Sequence, residues 1–236
     1  MSNMKFNGES FESRGIIVEK IPPVIKGKQR YRTYTIPGRD GVLWVDEETY
    51  EPFTLSLECH FNDDVVNKDT INKIFNNPGR LTIDGVRYYD VIINNLIEYE
   101  KVQYFRKFII SFLCNPISHS IAETTFTYNL SGDPSQTISY SGNAKTWPII
   151  EINGTGQIIV SFSYSNSASI GFTLNANGNG EYKIDCDAKE ITQNNVNKSA
   201  DMNGEFPYIF GDGVSIYVSG TGAITSLKVK YHNAWL

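Results

Sequence analysis

The stretch Thr33–Trp44, TYTIPGRDGVLW, contains the charged pair in this chain that most resembles a reactive loop. Arg39 stands beside Asp40, between two glycines and after a proline. Acid–base catalysis needs a further positioned partner, and none is near this pair in the sequence. Proline fixes φ and glycine permits positive φ, so the local physics is that of a hairpin connection. The sequence therefore predicts a charged turn formed by Pro37, Gly38, Arg39, Asp40 and Gly41.

Other residue types that carry chemistry are few and scattered. The three histidines do not lie at metal-ligand spacing from one another or from a cysteine. The three cysteines stand in apolar, strand-like segments, which is typical of buried free thiols; they are Cys59, Cys114 and Cys186. Two carboxylate pairs, Asp63 with Asp64 and Asp185 with Asp187, could be imagined as a glycosidase pair, or the second as a Ca²⁺ site. Each such site requires a defined geometry that sequence alone does not provide. We therefore expect no catalytic residue, no metal and no cofactor.

Length and composition set the class of molecule. The 236 residues are 40% hydrophobic, enough for one large β domain or two ordinary ones. The net charge of −5 argues against a protein that binds nucleic acid or an anionic membrane, because such surfaces need clustered Lys and Arg. The N-terminus lacks the apolar run of a secretory signal, and no stretch approaches the roughly 20 apolar residues that span a bilayer. We expect a soluble protein made in a cytoplasm.

The elements that must position the charged turn are mostly strands. The segment Phe53–Phe61, FTLSLECHF, alternates apolar and polar residues, as a half-buried strand does. Asp84-Gly85 predicts a two-residue hairpin turn. The segment Tyr104–Cys114 is apolar enough to predict a strand covered on both faces. The segment Asp69–Gly79 places apolar residues at helical spacing before a Pro-Gly stop, so one short helix joins these strands in an α+β arrangement.

The composition changes near residue 120. Up to that point there are 15 basic and 16 acidic residues, and beyond it 6 and 10, with most of the glycines. We interpret Asn115–Thr125 as a linker into a second, all-β domain of sandwich or jelly-roll type. Within it, Tyr182, Ile184 and Cys186 should face inward. The Gly-Thr-Gly triplets at 154–156 and 220–222 are expected to be tight turns.

Aromatic residues make up 13% of the chain, and this content allows an alternative function. Surface aromatic rings on a β-sandwich can stack on sugars, so a carbohydrate-binding module is a second hypothesis. Trp147, followed by Pro148, and Phe206, followed by Pro207, are interpreted instead as core anchors. A cell-wall hydrolase is a third hypothesis, and only the scattered carboxylates support it.

The order of these segments resembles a known family. The chain opens with FNGESF and SRGIIVEKI, continues with IPGRDGVL, FTLSLECHF, LTIDGVRYYDVII and KFIISFLCNP, and ends with WPIIEINGTGQIIV, YKIDCDAKEI, MNGEFPYIFGDGVSIYVSGTG and WL. Over essentially its whole length it resembles the distal tail protein (Dit) family of siphophages and related prophages. No single motif is specific to that family, but their order is.

The resemblance implies a structural protein of the virion, at the phage tail tip, rather than an enzyme. Its members form a hexameric ring between the tail tube protein and the tail-associated hub protein, and DNA passes through the ring. The resemblance assigns residues 1–120 to a ring-forming domain and residues 121–236 to a galectin-like β-sandwich. Further partners it allows are a receptor-binding protein or a cell-wall saccharide. The chain has no room for long inserted arms or sugar-binding modules, which puts a strong receptor-binding role in doubt.

The resemblance suggests a role for the charged turn. Arg39 and Asp40 offer opposite charges at a projecting tip, where they could pair with a neighbouring subunit or fix the loop itself. The turn is therefore our candidate subunit interface, and no residue is assigned to ligand binding.

Overall fold

The fold is described from a computed structural model that covers residues 4–23, 25–62, 64–102, 104–165, 167–178, 180–211 and 214–236. The chain divides into two compact units, Met1–Ile121 with Leu236, and Ala122–Trp235. Strands dominate both units, and the predicted mainly-β fold class is confirmed. No helix in the described part of the chain has the length and hydropathy needed to cross a membrane.

The first unit is built from ten strands and an α-helix within its described residues. They are β1 Lys5–Phe6, β2 Glu9–Ser10, β3 Ile16–Val18, β4 Gln29–Tyr34, β5 Leu43–Tyr50, β6 Phe53–Asn62, α1 Lys68–Ile74, β7 Gly79–Thr82, β8 Arg87–Ile93, β9 Glu100–Val102 and β10 Phe105–Ser120. The main sheet has the order β2-β1-β7-β8-β10-β6-β3, and β9 also pairs with β10. β4 and β5 form a separate two-stranded sheet.

Strand β6 confirms the alternation expected of it. Leu55, Leu57, Cys59 and Phe61 are buried, and the residues between them face the other side of the sheet. The strand pairs antiparallel with β10 along its whole length, from Phe53 to Asn62. Because successive side chains of a strand point to opposite faces, one face of this pair contributes the core and the other remains accessible.

Strand β10 differs from its prediction in both length and covering. It continues to Ser120, and its outward residues are exposed or only partly buried, among them Ile109 at 52% exposure. The expectation of a strand covered on both faces is therefore wrong. The expected linker is wrong as well, because β10 occupies its first six residues and the next strand begins at Thr124. Pro116 is tolerated because the pairing with β8 shifts register between Cys114 and Ser118, where a ladder donor is not needed.

Helix α1 is confirmed and packs on the core of the first unit. Its N-cap, Asn67, accepts a hydrogen bond from the Thr70 backbone N–H at 2.8 Å, which satisfies a donor that the first turn leaves free. Ile71 is fully buried, and Phe75 at the C-cap is 5% exposed. The ring of Phe75 contacts those of three core phenylalanines: Phe6, Phe11 and Phe112.

The β7–β8 connection is longer than predicted. Four residues separate Thr82 from Arg87, so the expected two-residue turn is wrong. Gly85 does adopt positive φ, at 79°. The Asp84 carboxylate accepts hydrogen bonds from the backbone N–H groups of Val86 and Arg87, both at 2.9 Å, which closes the longer loop.

The second unit consists of strands with one short 3₁₀ turn in its described part. The strands are β11 Thr124–Thr127, β12 Ser135–Ile138, β13 Ile149–Tyr164, β14 Ser167–Asn177, β15 Tyr182–Asp185, β16 Glu190–Gln193, β17 Val196–Asn197, β18 Met202–Gly204, β19 Val214–Gly220, β20 Ala223–Tyr231 and β21 Ala234–Trp235. The 3₁₀ turn is Ser199–Asp201.

Strand β13 organises this unit because it changes partners along its 16 residues. Its first half pairs with β20 and β15, and its second half pairs with β14 and β19. The change falls at the first Gly-Thr-Gly triplet, where the register shifts after Asn153 and Gly156 has a φ of 77°. This triplet is therefore an irregularity inside a strand, and the prediction of a tight turn there is wrong. The second triplet does join β19 to β20.

Both halves of β13 contribute side chains to the core of the second unit. Ile150, Ile152 and Phe162 are fully buried, and the predicted inward set of Tyr182, Ile184 and Cys186 is confirmed. Of the two predicted core anchors, Phe206 packs against this core, but Trp147 is 39% exposed. The core assignment of Trp147 is therefore wrong.

Candidate subunit interface

The predicted turn is the tip of a hairpin formed by β4 and β5. The register pairs Tyr34 with Leu43 next to the loop and Gln29 with Tyr50 near the base. At the base, the Glu51 backbone N–H donates to the Lys28 carbonyl at 2.7 Å. A Cβ at Gly27 would stand 2.6 Å from Pro116 Cβ, so the absence of a side chain lets the base lie close against β10.

The loop at the tip begins with a type II turn. The Arg39 backbone N–H donates to the Ile36 carbonyl at 3.2 Å, with Pro37 and Gly38 at the two central positions. Gly38 has a φ of 82°, which the third residue of a type II turn requires and glycine adopts at little cost. An added Cβ at Gly38 or Gly41 would meet nothing within 4 Å. The tip therefore projects into open space, and a backbone hydrogen bond defines its turn.

The charged pair does not hold this loop together. Arg39 and Asp40 are both exposed, and within the described residues no ion pair or side-chain hydrogen bond involves either of them. Of the two uses expected for these charges, fixing the loop is therefore not seen. Their charged groups remain accessible to another molecule.

Each face of the hairpin carries apolar side chains. Directly paired residues share a face, so Thr33 and Trp44 lie on one side with Tyr31, whose ring meets the Trp44 ring edge-on at 5.6 Å. Trp44 is 64% exposed. The opposite side carries three further exposed apolar residues: Tyr34, Leu43 and Val45.

Polar contacts fix the hairpin near its base. Arg32 Nε lies 2.5 Å from Glu47 Oε1, and this bond with the adjacent negative charge raises the pKa of the guanidinium. Asp46 accepts a hydrogen bond from the Gln29 side chain and another from the Glu48 backbone N–H at 2.7 Å. Glu48 has a φ of 53°, so Asp46 stabilises a bulge there. These contacts set the hairpin conformation and leave the apolar residues toward the tip uncovered.

A hairpin of this kind is poorly stabilised on its own. Two-stranded sheets are marginally stable in water, and unpaired strand edges invite pairing with another chain. Among the described strands, β4 and β5 pair only with each other. Apolar groups on both faces gain free energy when another surface removes them from water. The hairpin, called the arm below, therefore offers apolar faces and strand edges that another chain could cover.

The remaining candidates for chemistry do not come together. The three cysteines are buried free thiols, as predicted. Burial raises the pKa of the Cys59 thiol to about 12, with a smaller contribution from Glu19, and burial raises that of Cys114 to about 12. Such thiols are poor nucleophiles at neutral pH because the thiolate is scarce.

The carboxylate pairs and histidines are also dispersed. Asp185 accepts hydrogen bonds from the backbone N–H groups of Asp187 and Ala188, so it stabilises a turn. Asp63 lies outside the described residues. His60 lies 3.2 Å from Glu19 in a surface ion-pair cluster. Throughout the described chain, no group of three or more His, Cys, Asp or Glu side chains is placed to hold a metal ion.

Sequence reasoning found the turn but missed the apolar residues of the arm. Tyr31, Tyr34 and Trp44 match an ordinary strand pattern, and strand propensity does not distinguish a covered face from an exposed one. The available signal was that apolar and aromatic residues occupy both phases of β5, in Leu43, Trp44 and Val45, although the rest of β5 is acidic and its partner β4 carries two arginines.

Comparison with known proteins assigns the class. Residues 6–114 match the family model described as phage tail protein RIFT-related domain. The matched residues make up most of the first unit, which therefore carries this phage tail domain, and the family is a structural one. A comparison with curated protein sequences found no match.

Solved structures that resemble this chain include a phage Dit protein. The Dit protein of phage SPP1, described as a paradigm of the hub adsorption apparatus in phages that infect Gram-positive bacteria, is 13% identical and matches over 100% of both chains with a TM-score of 0.72. At this identity the likeness concerns the fold, and the whole chain has the Dit fold. The resemblance to siphophage distal tail proteins is thereby confirmed.

Proposed function

We propose that six copies of this chain form a ring at the tip of a phage tail. The ring joins the tail tube protein above to the tail-associated hub protein below, and DNA passes through its centre without specific binding. The chain acts as a structural component of the virion and catalyses no reaction. In this proposal residues 1–120 make the ring, and residues 121–236 form the second domain.

The observation that carries the proposal is the β4–β5 arm. It exposes apolar side chains on both faces, its outer strand edges are unpaired among the described strands, and its tip presents Arg39 and Asp40 to solvent. A head-to-tail ring uses two different patches of each subunit, one that projects and one that receives. The arm is suited to be the projecting patch.

Charge also supports passage of DNA. The net charge of −5 makes the chain repel a polyanion overall, so a pore lined by such subunits would not capture the phosphate backbone. The near balance of 15 basic and 16 acidic residues up to residue 120 supplies complementary charges for subunit contacts at the same time.

Size-exclusion chromatography with light scattering, followed by negative-stain electron microscopy, tests the ring. We expect wild type to form six-fold rings at high concentration. Arg39→Glu should weaken assembly about tenfold by reversing a contact charge. Trp44→Ala should weaken assembly by about 30-fold or more, because it removes an indole side chain that the proposed contact buries. Both variants should keep the melting temperature and circular dichroism of the folded subunit.

Lys183→Glu is the matched control, because it makes the same charge change at an exposed position on β15. It should assemble as wild type does. Rings that form equally well with Arg39→Glu would refute the interface role of the turn. A wild-type chain that stays monomeric at high concentration and is missing from purified virions would overturn the tail-ring function itself.

A further inference from the structure

Two segments of the second unit are joined into a short, strand-like pair outside the named strands. The Thr146 backbone N–H donates to the Ile209 carbonyl at 3.0 Å, and the Ile209 N–H donates back to the Thr146 carbonyl at 2.8 Å. Thr146 is 3% exposed and Ile209 is fully buried. This reciprocal pair fixes the register of the two segments and turns their central side chains into the core.

The flanking side chains consequently point the other way. Successive residues of an extended segment alternate in direction, and in this antiparallel pair Trp147 stands opposite Tyr208 and Lys145 opposite Phe210. Trp147 and Phe210 are 39% and 45% exposed. These four residues are called the aromatic patch below.

The rings of the patch are held in place from beneath. Tyr164 stacks on Tyr208 with centroids 4.9 Å apart, and its hydroxyl donates to the Tyr208 carbonyl at 2.6 Å. Trp147 meets Tyr208 edge-on at 5.5 Å, and Lys145 Nζ lies 5.0 Å from the centre of the Tyr208 ring. Trp147, Tyr208 and Lys145 are thus ordered before any ligand arrives, which lowers the entropic cost of binding.

The patch consists of four side chains, and most of the described residues beside them along the chain are buried. Ala144, Pro148 and Pro207, which adjoin it along the two segments, are buried. A stable protein interface buries about 800 Å² on each partner, from some 20–30 residues. A surface of four side chains is far below that size and matches one or two sugar rings.

We propose that the aromatic patch binds a pyranose ring of a saccharide chain. The C–H face of a pyranose packs on aromatic rings, while the hydroxyl groups at its edge remain free for hydrogen bonds. The Lys145 ammonium stands at the patch, where it donates to sugar oxygens or pairs with an acidic substituent. This inference gives a location to the carbohydrate-binding alternative and does not depend on ring assembly.

Calorimetric titration of the full-length protein tests the site with two probes, chitohexaose as a neutral chain and hexagalacturonate as an acidic one. We expect millimolar or tighter binding of at least one probe. Trp147→Ala should weaken that binding about tenfold or more, while Trp147→Phe, which keeps an aromatic ring, should retain most of it. Lys145→Gln should remove any preference for the acidic chain.

Tyr217→Ala is the control, because Tyr217 is a similarly exposed aromatic residue on β19. It should bind as wild type does, and every variant should keep the wild-type melting temperature. Absence of binding by both probes at millimolar concentration would overturn the proposal. Full binding by Trp147→Ala, or equal loss in Tyr217→Ala, would overturn it too. Light scattering on the same samples reports ring assembly separately, so failure of the two proposals can be distinguished.

Discussion

At the scale of single residues, Glu19 connects two side chains of the main sheet in the first unit. Its Oε1 atom lies 3.1 Å from Lys107 Nζ and 3.2 Å from His60 Nδ1, on the accessible side of the β6–β10 sheet. The hydrogen bond and charge of Lys107 lower the pKa of the Glu19 carboxyl below its ordinary value of 4.5, with a further contribution from His60. The charged form is therefore the one that stabilises the fold.

This shift has a definite direction with pH. A carboxyl whose pKa is lowered by folding contributes stability above its ordinary pKa and loses that contribution as the pH falls through the lowered folded value. We expect Glu19→Gln to reduce the free energy of unfolding by about 0.5 kcal/mol at pH 7, the scale of an exposed ion pair, and to have a smaller effect at pH 3. Urea unfolding at both pH values measures the difference.

The control for this variant is Glu58→Gln. Glu58 points to the same side of the sheet, and its side chain has no partner among the described residues. It should leave the free energy of unfolding nearly unchanged at both pH values. An effect of Glu19→Gln that is equal at pH 7 and pH 3 would mean that its charge is not the cause.

At the scale of elements, the sequence predicts strands better than it predicts what covers them. The alternation of β6 was sufficient to predict which of its residues are buried, because polar residues occupy its open face. Strand β10 has exposed Phe105 and Ile109 on that same face, so its pattern looks fully buried although no layer of its own unit covers them. Burial depends on neighbouring elements, and local pattern does not contain that information. Trp147 was misplaced for the same reason.

The candidate interface was partly predictable on similar grounds. The Pro-Gly dipeptide determines the turn through φ angles alone, and the structure has a type II turn there. The length of the arm, its exposed aromatic residues and its separation from the main sheet depend on long-range pairing. The Gly-Thr-Gly triplet inside β13 was misassigned because a strand irregularity and a tight turn both call for glycine.

Close approach of backbones within the second unit gives an element-scale prediction at Gly171 of β14. A Cβ there would stand 2.2 Å from the Val160 carbonyl oxygen and 2.8 Å from Ser161 Cα. Both are backbone atoms of the paired strand β13, so they cannot move aside without disturbing the ladder. We expect Gly171→Ala to lower the free energy of unfolding by about 1–3 kcal/mol, measured by chemical denaturation.

Gly132→Ala is the comparison for this variant. Its added Cβ would meet only the exposed side chain of Asn129, at 3.0 Å, and a shift of that side chain by a few tenths of an ångström relieves the contact. It should cost less than about 0.5 kcal/mol. If Gly171→Ala were no worse than Gly132→Ala, the β13–β14 pair would be looser than its register indicates.

At the scale of the whole molecule, each unit has its own buried core. One core centres on aromatic residues such as Phe61 and Phe112, and the other on β13 with Ile152 and Phe162. A domain with its own core can in principle fold alone. The arm belongs to the first unit and the aromatic patch to the second, so the proposed assembly and saccharide-binding surfaces lie on different units.

This separation predicts how the two parts behave when expressed apart. Residues 121–236 should fold alone with a cooperative thermal transition, because the strands that surround their core all lie within this range. Residues 1–120 should retain the arm and so keep the capacity to assemble. Circular dichroism measures folding, and light scattering measures assembly.

The control is a fragment that starts at residue 157. It splits β13 and removes Ile150 and Ile152 from the core, so it should remain unfolded. Non-cooperative melting of 121–236, or assembly that follows that half, would contradict this assignment.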